Sequence, residues 1–290
     1  MKVSGFTIIR NAVRNDYPVA ESIRSLLPLV DELVVLIGDC EDDTEALIRS
    51  IGSDKIKIHH STWDPAYFQH GRILAVETDK AFRLIDPESD WAFYLQADEL
   101  IHEQFYPAIR AGMEKYKDDQ RVEGLLFRYL HFYGTYDYVG DSRKWYNHEI
   151  RIIRNNKAIH SYRDAQGFRI DGRKLNVKPI DAWIYHYGWV KSPRQMMLKN
   201  QQFVEFWSEQ EALKEAWSQM EVFDYSQFDS LRPFNGTHPV SMKERIDRQH
   251  WKVDFDISRK KFDWKGRLLY WIEQKTGKRL FDYKNYRIIP

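Results

Sequence analysis

A glutamine and two acids follow an apolar run in the fourth predicted strand. Residues 91–95 are all apolar or aromatic, and Gln96, Asp98 and Glu99 come directly after them. Carboxylate oxygens bind hard divalent cations, and such a cation neutralises charge that develops on a departing phosphate group. The apolar run predicts a buried strand, so its acids are expected at the mouth of a site. Ordinary solvated acids at a strand end are the alternative.

Polar side chains also end the three earlier predicted strands. Arg10 and Asn11 end the first strand, Asp39 ends the second, and His59 and His60 end the third. Ligands of parallel sheets bind beyond the carboxyl ends of the strands. We therefore expect these side chains to lie near the acids of the fourth strand.

The elements that must position these side chains alternate between strand and helix patterns. Apolar strands alternate with amphipathic helices, which predicts a parallel sheet covered on both faces. The predicted strands are VSGFTIIRN, DELVVLIGD, KIKIHH and WAFYLQADE, and the predicted helices are YPVAESIRSLLPLV, DDTEALIRSIG and GRILAVETDKAFRLI.

The pattern changes after about residue 120. Further strands are predicted at VEGLLFRYLHFYG, EIRIIRNNKAIHSY and DAWIYHYGW, and the lack of a long helix between the first two favours antiparallel pairing. A helix is predicted from Ser192 to Met220 and another at DWKGRLLYWIEQKTG. We expect a catalytic domain over residues 1–190 and a helical, basic and aromatic extension over residues 191–290 that packs on it.

Composition excludes several classes of protein. The 290 residues carry a formal net charge of +1, which gives no case for nucleic-acid binding. The single cysteine, Cys40, allows no intramolecular disulfide. There is no signal-peptide pattern and no apolar run long enough to span a membrane, so a cytoplasmic protein is the expectation. Walker and dinucleotide-type glycine loops are also missing after the first strand.

The first 100 residues resemble a family 2-type glycosyltransferase with the GT-A fold, of the kind that builds bacterial surface polysaccharide. The likeness rests on three strand ends, IIRN, GDCEDDT and QADE, and later on EIRIIRN and YHYGW. It implies a mixed, mainly parallel α/β sheet flanked by helices, a nucleotide-diphospho sugar as donor, and Mg or Mn as cofactor. The family has an Asp-x-Asp motif at QADE, so this chain departs from it at Gln96.

The resemblance also implies roles for individual residues. It makes Asp98 a metal ligand, and it makes His186 in IYHYGW a second one; a satisfied core histidine is the alternative for His186. Gln96 can hydrogen-bond a ribose hydroxyl or a metal-bound water but brings no charge. The nucleotide contacts implied are with Arg10, Asn11, Asp39 and Arg72, and Arg72 as a solvated helix residue is the alternative there.

An inverting transfer needs a carboxylate that removes the proton from the acceptor hydroxyl. The candidates are Asp164, Glu149 and Asp141. Asp164 is preferred because it follows a strand and precedes Gly167, which predicts a loop that faces the acceptor. Glu149 is retained as a second candidate, although pairing with Arg151 or Arg154 would give it a structural role instead.

The C-terminal segment is basic and aromatic. Residues 241–290 contain 14 Lys and Arg against 7 Asp and Glu. The helix WKGRLLYWIEQKTGKR predicts peripheral contact with the inner face of an anionic membrane. A packed terminal helix with a solvated basic face is the alternative.

The resemblance implies a glycosyltransferase with a saccharide or lipid-linked acceptor in cell-surface glycan synthesis. A degenerate protein that binds a sugar nucleotide without turnover is the alternative, and Gln96 supports it. A sugar-nucleotide pyrophosphorylase is disfavoured because IIRNAVRND has no glycine after the first strand.

Overall fold

The computed structural model describes residues 1–207, 211–258 and 260–290. Its strands alternate with helices in the first third and follow one another in the middle of the chain. The strands are β1 (Val3–Ile9), β2 (Glu32–Ile37), β3 (Ile56–His60), β4 (Trp91–Tyr94), β5 (Glu99–Ile101), β6 (Gly124–Tyr133), β7 (Tyr138–Gly140), β8 (His148–Arg154), β9 (Ile159–Tyr162), β10 (Gly167–Ile170), β11 (Arg173–Lys174), β12 (Asn176–Trp189), β13 (Leu231–Pro233) and β14 (Arg287–Ile288).

The helices lie on both sides of the sheet and in the C-terminal third. They are α1 (Val19–Leu26), α2 (Thr44–Arg49), α3 (Arg72–Leu84), α4 (Tyr106–Tyr116), α5 (Pro193–Phe203), α6 (Glu211–Ser218), α7 (Lys243–Asp247) and α8 (Trp264–Thr276). Short 3-10 helices occupy Leu27–Leu29, Pro65–Tyr67, Glu103–Phe105, Val204–Phe206 and Val240–Met242.

The main sheet has a parallel half and an antiparallel half. Its order is β13-β7-β6-β8-β4-β1-β2-β3, and β12 pairs with β6, β5 and β14. Strands β3, β2, β1 and β4 are parallel, whereas β8 is antiparallel to both β4 and β6. The predicted α/β class, with a mixed sheet flanked by helices, is confirmed.

Apolar residues cover both faces of the parallel half, as the continuous apolar strands predicted. Along β2, Val35 packs in one layer with residues of α1, and Val34 packs in the opposite layer with Phe82 of α3. Successive strand side chains point to opposite faces, so a strand buried on both faces must be apolar throughout. In β1 the small buried side chains of Ser4 and Thr7 are exceptions, and the larger polar side chains of Arg10 and Asn11 come after the strand end.

Two predictions for the middle of the chain need correction. The segment EIRIIRNNKAIHSY forms two strands, β8 and β9, because the chain turns at Asn155–Asn156, where the Asn156 carbonyl accepts a hydrogen bond from Ile159. Strand β12 lies parallel to β6, although β6 and β8 pair antiparallel as predicted. A parallel pair needs a long crossover, and the chain between β6 and β12 provides it.

The long helix predicted from Ser192 is interrupted. Helix α5 ends at Phe203, a 3-10 turn follows, and α6 begins at Glu211; residues 208–210 of this prediction lie outside the described residues. The C-terminal region also adds strands to the sheet, since β13 pairs with β7 and β14 pairs with β12. The predicted domain boundary near residue 190 stays a prediction.

The described helices are too short or too polar to cross a lipid bilayer.

Candidate functional site

A cavity of about 340 Å³ opens at the carboxyl ends of β1 and β4. Two walls face each other across it. The strand wall contains Ile8, Ile9, Arg10, Asn11, Tyr94, Gln96, Ala97 and Asp98, and the helix wall contains Lys199, Gln202, Phe203, Glu205 and Phe206. Arg14, Asn15, Tyr17, Glu41, Trp63, Leu74 and Ala165 complete the lining.

The turn after β4 is held from behind by a buried ion pair. Glu99 accepts hydrogen bonds from Arg151 Nε (2.8 Å) and Nη2 (2.7 Å), and neither side chain is exposed to solvent. Glu99 Oε2 also accepts from the Gln96 backbone N–H at 3.2 Å. The adjacent acids thus have opposite roles: Glu99 turns inward to Arg151, and Asp98 turns to the cavity.

The Asp98 carboxylate lies between an imidazole and an ammonium group. Its Oδ2 is 3.7 Å from His186 Nε2 and 3.7 Å from Lys199 Nζ. Burial acts to raise the pKa of Asp98, but His186 and Lys199 outweigh it and hold that pKa well below its ordinary value. Asp98 is therefore ionised throughout the physiological pH range.

A second histidine orients His186. The two Nδ1 atoms of His131 and His186 are 3.1 Å apart, so one hydrogen lies between them. His131 Nε2 must donate to the Tyr146 carbonyl (2.8 Å), and burial lowers the pKa of His131 well below its ordinary value. A neutral His131 has no second hydrogen, so His186 Nδ1 is the donor between the rings. The Nε2 atom of His186 then faces Asp98, 3.7 Å from its Oδ2.

Two lysines bring positive charge to the same end of the cavity. Lys199 donates to the Gly188 carbonyl (2.8 Å), and Lys191 is fully buried with its ammonium 5.0 Å from the Tyr17 ring. Burial and, to a smaller extent, the Lys199 charge lower the pKa of Lys191 to about 7. An anion bound here would favour the protonated form of Lys191.

Aromatic side chains form the opposite end of the cavity. The Arg10 guanidinium stacks over Trp63 (5.4 Å to the ring centroid) and Phe206 (5.8 Å), and these two rings are 5.2 Å apart. The Phe206 carbonyl accepts a hydrogen bond from the Gly71 N–H at 2.8 Å, which ties the helix wall to the start of α3. Flat apolar surfaces beside a guanidinium suit a planar, polar ring such as a nucleobase.

Asn11 and Asp39 serve the loops around this aromatic end. Buried Asn11, with a positive φ of 51°, accepts a hydrogen bond from the Glu41 N–H through Oδ1 (2.8 Å). Asp39 accepts from the Trp63 N–H at 2.9 Å and lies in a separate hollow with Asp42 and His60. Asn11 therefore lines the main cavity, whereas Asp39 positions Trp63 from outside it.

Two other predicted side chains, those of Asp164 and Arg72, do not line the cavity. Asp164 packs beside Gly71 and is one residue from Ala165, whose carbonyl accepts from Gln96 Nε2 at 3.5 Å. Burial raises the pKa of Asp164. Arg72 is exposed and stacks on Tyr67 at 5.2 Å, and it does not line the cavity.

Glu149 and Asp141 are engaged elsewhere. Glu149 is buried in the sheet, and burial raises its pKa to about 8. That location gives an acceptor no access to the Glu149 carboxyl, because the side chain points into the core beside Gly167. Asp141 accepts hydrogen bonds from Tyr270 (2.7 Å) and Lys260 (2.8 Å), which anchors the C-terminal region.

Comparisons with known proteins give likenesses of fold only. No protein-family model matches the chain, and no curated protein matches it. Among solved structures, it is similar to Mycobacterium tuberculosis glucosyl-3-phosphoglycerate synthase in complex with Mn2+, UDP and phosphoglyceric acid, with 16% identity and a TM-score of 0.32. The likeness covers 45% of this chain and 43% of that chain.

A second likeness is to S. aureus TarS. The TarS 1–349 complex with UDP is 13% identical, with a TM-score of 0.41, and 75% of this chain and 69% of that chain are covered. A longer TarS structure has the same identity and TM-score, but only 39% of it is covered. The chain thus spans less than half the length of the synthase and of the longer TarS structure.

The residues near Asp98 fit the Mg or Mn that the sequence resemblance implies. Gly188 leaves a space between the two predicted ligands: a Cβ at this position would lie 2.6 Å from Asp98 Oδ2 and 2.8 Å from His186 Nε2. Within the described ranges, no three His, Cys, Asp or Glu side chains form a metal site by themselves. Mg²⁺ sites commonly combine one or two protein carboxylates with substrate phosphates and water, so two protein ligands are sufficient.

The helix wall was not predicted from the sequence. Lys199, Gln202 and Phe206 are three and four residues apart, which puts them on one side of the helical stretch that ends α5. That spacing predicts that the three side chains share one face of a helix. It does not say that the face covers a cavity at the end of β4, because this depends on the packing of α5 against the sheet.

Proposed function

We propose that this protein is a glycosyltransferase that takes a sugar from a nucleotide-diphospho sugar. The observation that carries the proposal is the division of one cavity into an aromatic end, at Trp63 and Phe206, and a charged end, at Asp98 and Lys199. His186 does not line the cavity and lies 3.7 Å from Asp98. A nucleoside diphosphate has the same division, with a flat base at one end and a diphosphate at the other. The aromatic rings would stack on the base, and the charged end would bind the diphosphate.

Each charged side chain has a proposed role at the diphosphate. Asp98 and His186 would hold a divalent cation, and His131 would keep His186 in the tautomer that presents Nε2. The cation, when bound, neutralises negative charge on the departing nucleoside diphosphate. Lys199 would add a second positive charge on the helix wall, and Gln96 would hydrogen-bond a sugar or ribose hydroxyl.

We propose an inverting transfer with Asp164 as the base that receives the acceptor proton. Its raised pKa suits this role, because a base works best when its pKa approaches the working pH. Glu205, which lines the cavity, is a second carboxylate that could serve as the base. Asp164→Asn and Glu205→Gln, compared for kcat with fold checked by circular dichroism, would assign the base to whichever variant loses turnover.

The acceptor that we propose is a saccharide or a lipid-linked saccharide used in cell-surface glycan synthesis. The resemblance to glycosyltransferases that build bacterial surface polysaccharide supports this acceptor class. The acceptor would approach from the side of Asp164 and Glu205. A panel of saccharide and lipid-linked acceptors, tested with the preferred donor, would identify it.

The decisive experiment combines a donor screen with one isosteric change. Binding of UDP-, GDP-, CMP- and dTDP-sugars is measured by calorimetry with and without Mn2+, and turnover is followed by release of the nucleotide. Asp98→Asn should lower kcat by roughly 100-fold or more, because it removes the charge that holds the cation beside the diphosphate. Asp181→Asn, at an exposed position, is the matched control. Full turnover in Asp98→Asn would refute the assignment.

A second candidate function is binding of a sugar nucleotide without turnover. It is favoured by Gln96, which stands where the resemblance places an acid, and by the Lys199 ammonium beside Asp98. The same calorimetry separates the two functions. Tight binding with no transfer to any acceptor and no nucleotide release would favour the non-catalytic function.

A further inference from the structure

Helix α8 turns its large apolar side chains toward solvent. Trp264, Leu268 and Trp271 are 79%, 50% and 58% exposed, and α8 has no buried residue. Their spacing of four and three residues places them in one row along the helix, here named the α8 apolar row. A surface helix of a globular protein normally packs such a row against its core. In α8 the row is on the outside.

The opposite side of α8 binds the rest of the protein through polar contacts. The Tyr270 hydroxyl donates to the Asp141 carboxylate at 2.7 Å, and Arg143 donates to Glu273 at 2.9 Å. These contacts fix the rotation of the helix about its axis. The outward direction of the apolar row is therefore a consequence of how α8 is anchored.

Both ends of α8 are well defined. Asp263 caps the N-terminus by accepting a hydrogen bond from the Gly266 N–H at 2.6 Å, and Gly277 ends the helix with a φ of +66°. Asp is a preferred residue at helix N-termini, and a glycine in the left-handed conformation commonly ends a helix. The apolar row thus belongs to a formed helix of Trp264–Thr276.

Cations surround the apolar row. Lys265 and Arg267 flank it in the first turn, Lys275 continues it in the last turn, and all three are exposed. The acid within α8, Glu273, is turned inward to Arg143. Phe281, which is 90% exposed, extends the apolar surface just past the helix. Tryptophan and leucine between lysine and arginine are typical of helices that lie in an anionic membrane interface.

We propose that α8 docks its apolar row flat on an anionic lipid surface. The indole and leucine side chains would enter the interface, and Lys265, Arg267 and Lys275 would contact lipid phosphates. A second copy of this chain fits the face less well, because two α8 faces would bring cations together with no outward carboxylate on either helix to pair with them. This inference goes beyond the proposed function and does not depend on it.

The test measures binding of the full chain to vesicles. One set is made of equal parts of phosphatidylglycerol and phosphatidylcholine, and the other of phosphatidylcholine alone. The unaltered protein should bind the anionic vesicles at least roughly tenfold more tightly than the neutral ones, and added salt should weaken that binding.

Two variants separate the apolar and charged contributions. Replacing Trp264, Leu268 and Trp271 by serine should lower affinity for the anionic vesicles by at least roughly tenfold, since the residues that enter the interface are lost. Replacing Lys265, Arg267 and Lys275 by glutamine should abolish the preference for anionic vesicles. Val240→Ser removes an exposed apolar side chain elsewhere and should bind as the unaltered protein does.

Three results would overturn the proposal. The first is no binding to anionic vesicles at low salt by the correctly folded protein. The second is equal binding by the apolar-row variant and the unaltered protein. The third is a lipid-free dimer, seen by light scattering, that the apolar-row variant abolishes while vesicles bind neither protein; α8 would then be a protein interface. None of these measurements uses transferase activity, so they stand apart from the outcome of the donor screen.

Discussion

The strand wall and the helix wall of the cavity face the same space but are held in different ways. Behind the strand wall, Glu99 and Arg151 form an ion pair with no exposure to solvent. The helix wall is held by ring contacts, with Phe206 5.2 Å from Trp63 and 5.1 Å from Phe68, and by one backbone hydrogen bond to Gly71. One wall depends on buried charge, and the other on stacked rings near the surface.

This difference separates folding from binding. A change behind the strand wall leaves a charge in the core without its partner. It should therefore lower stability more than it alters the cavity. A change in the helix wall removes a surface that a ligand would contact and should weaken binding with a smaller cost in stability. Each prediction below tests one side of this contrast.

The largest effect is expected from Arg151→Met. The substitution leaves Glu99 buried without its partner, and breaking a buried ion pair from one side costs about 3–5 kcal/mol in the free energy of unfolding. Urea denaturation followed by tryptophan fluorescence measures it. The double variant Glu99→Gln with Arg151→Met removes both charges and should recover much of the loss. If the single and double variants are equally stable, buried charge does not hold the strand wall.

The same contrast explains which parts of the molecule could be predicted from sequence. Arg10, Gln96 and Asp98 follow apolar strands, and in a parallel sheet the strand ends meet at one edge. Their convergence on one cavity could therefore be anticipated from the order of strands and helices. Local sequence also indicated that α8 is a helix, through its aromatic and basic pattern.

What could not be predicted depends on side-chain direction and on packing between distant segments. Glu99 and Asp98 are neighbours of the same type, and only the position of Arg151 on β8 decides which one turns inward. Lys199 reaches Asp98 because α5 packs over the strand ends, a contact across about a hundred residues of chain. Asp39 ends its strand as predicted, but the Trp63 N–H takes its carboxylate away from the cavity.

A second prediction uses the pH dependence of stability to test whether the buried Glu149 carboxyl is protonated in the folded protein. Burial raises the pKa of Glu149 from an ordinary value of 4.5 to about 8, so the folded protein keeps a proton that the unfolded chain releases. Between these two values the unfolded state binds fewer protons, so rising pH destabilises the fold at this site. Glu149→Gln should remove that loss.

The measurement is the free energy of unfolding of both proteins at pH 5 and pH 7.5. The free energy of unfolding of Glu149→Gln should exceed that of the unaltered protein by on the order of 3 kcal/mol more at pH 7.5 than at pH 5. Each pH unit between the unfolded and folded pKa values contributes about 1.36 kcal/mol to this difference. Glu221→Gln, at an exposed position, should show no such difference. An equal gain at both pH values would mean that Glu149 is ionised in the folded protein and that the strand side tolerates its charge.

The smallest effect is expected in the helix wall, from Phe206→Ala. The loss of one stacked ring should weaken binding of the preferred nucleoside diphosphate by about 1–3 kcal/mol, which is roughly fivefold to 150-fold in affinity. The free energy of unfolding should fall by less than it does in Arg151→Met, because no buried charge loses its partner. Calorimetry with the nucleotide gives the first quantity and urea denaturation the second. Phe281→Ala, far more exposed and outside the cavity, is the control for removing a phenyl ring.

If Phe206→Ala binds the nucleotide normally but unfolds as easily as Arg151→Met, the two walls do not differ in the way described. The aromatic end would then be part of the fold rather than a surface for the base.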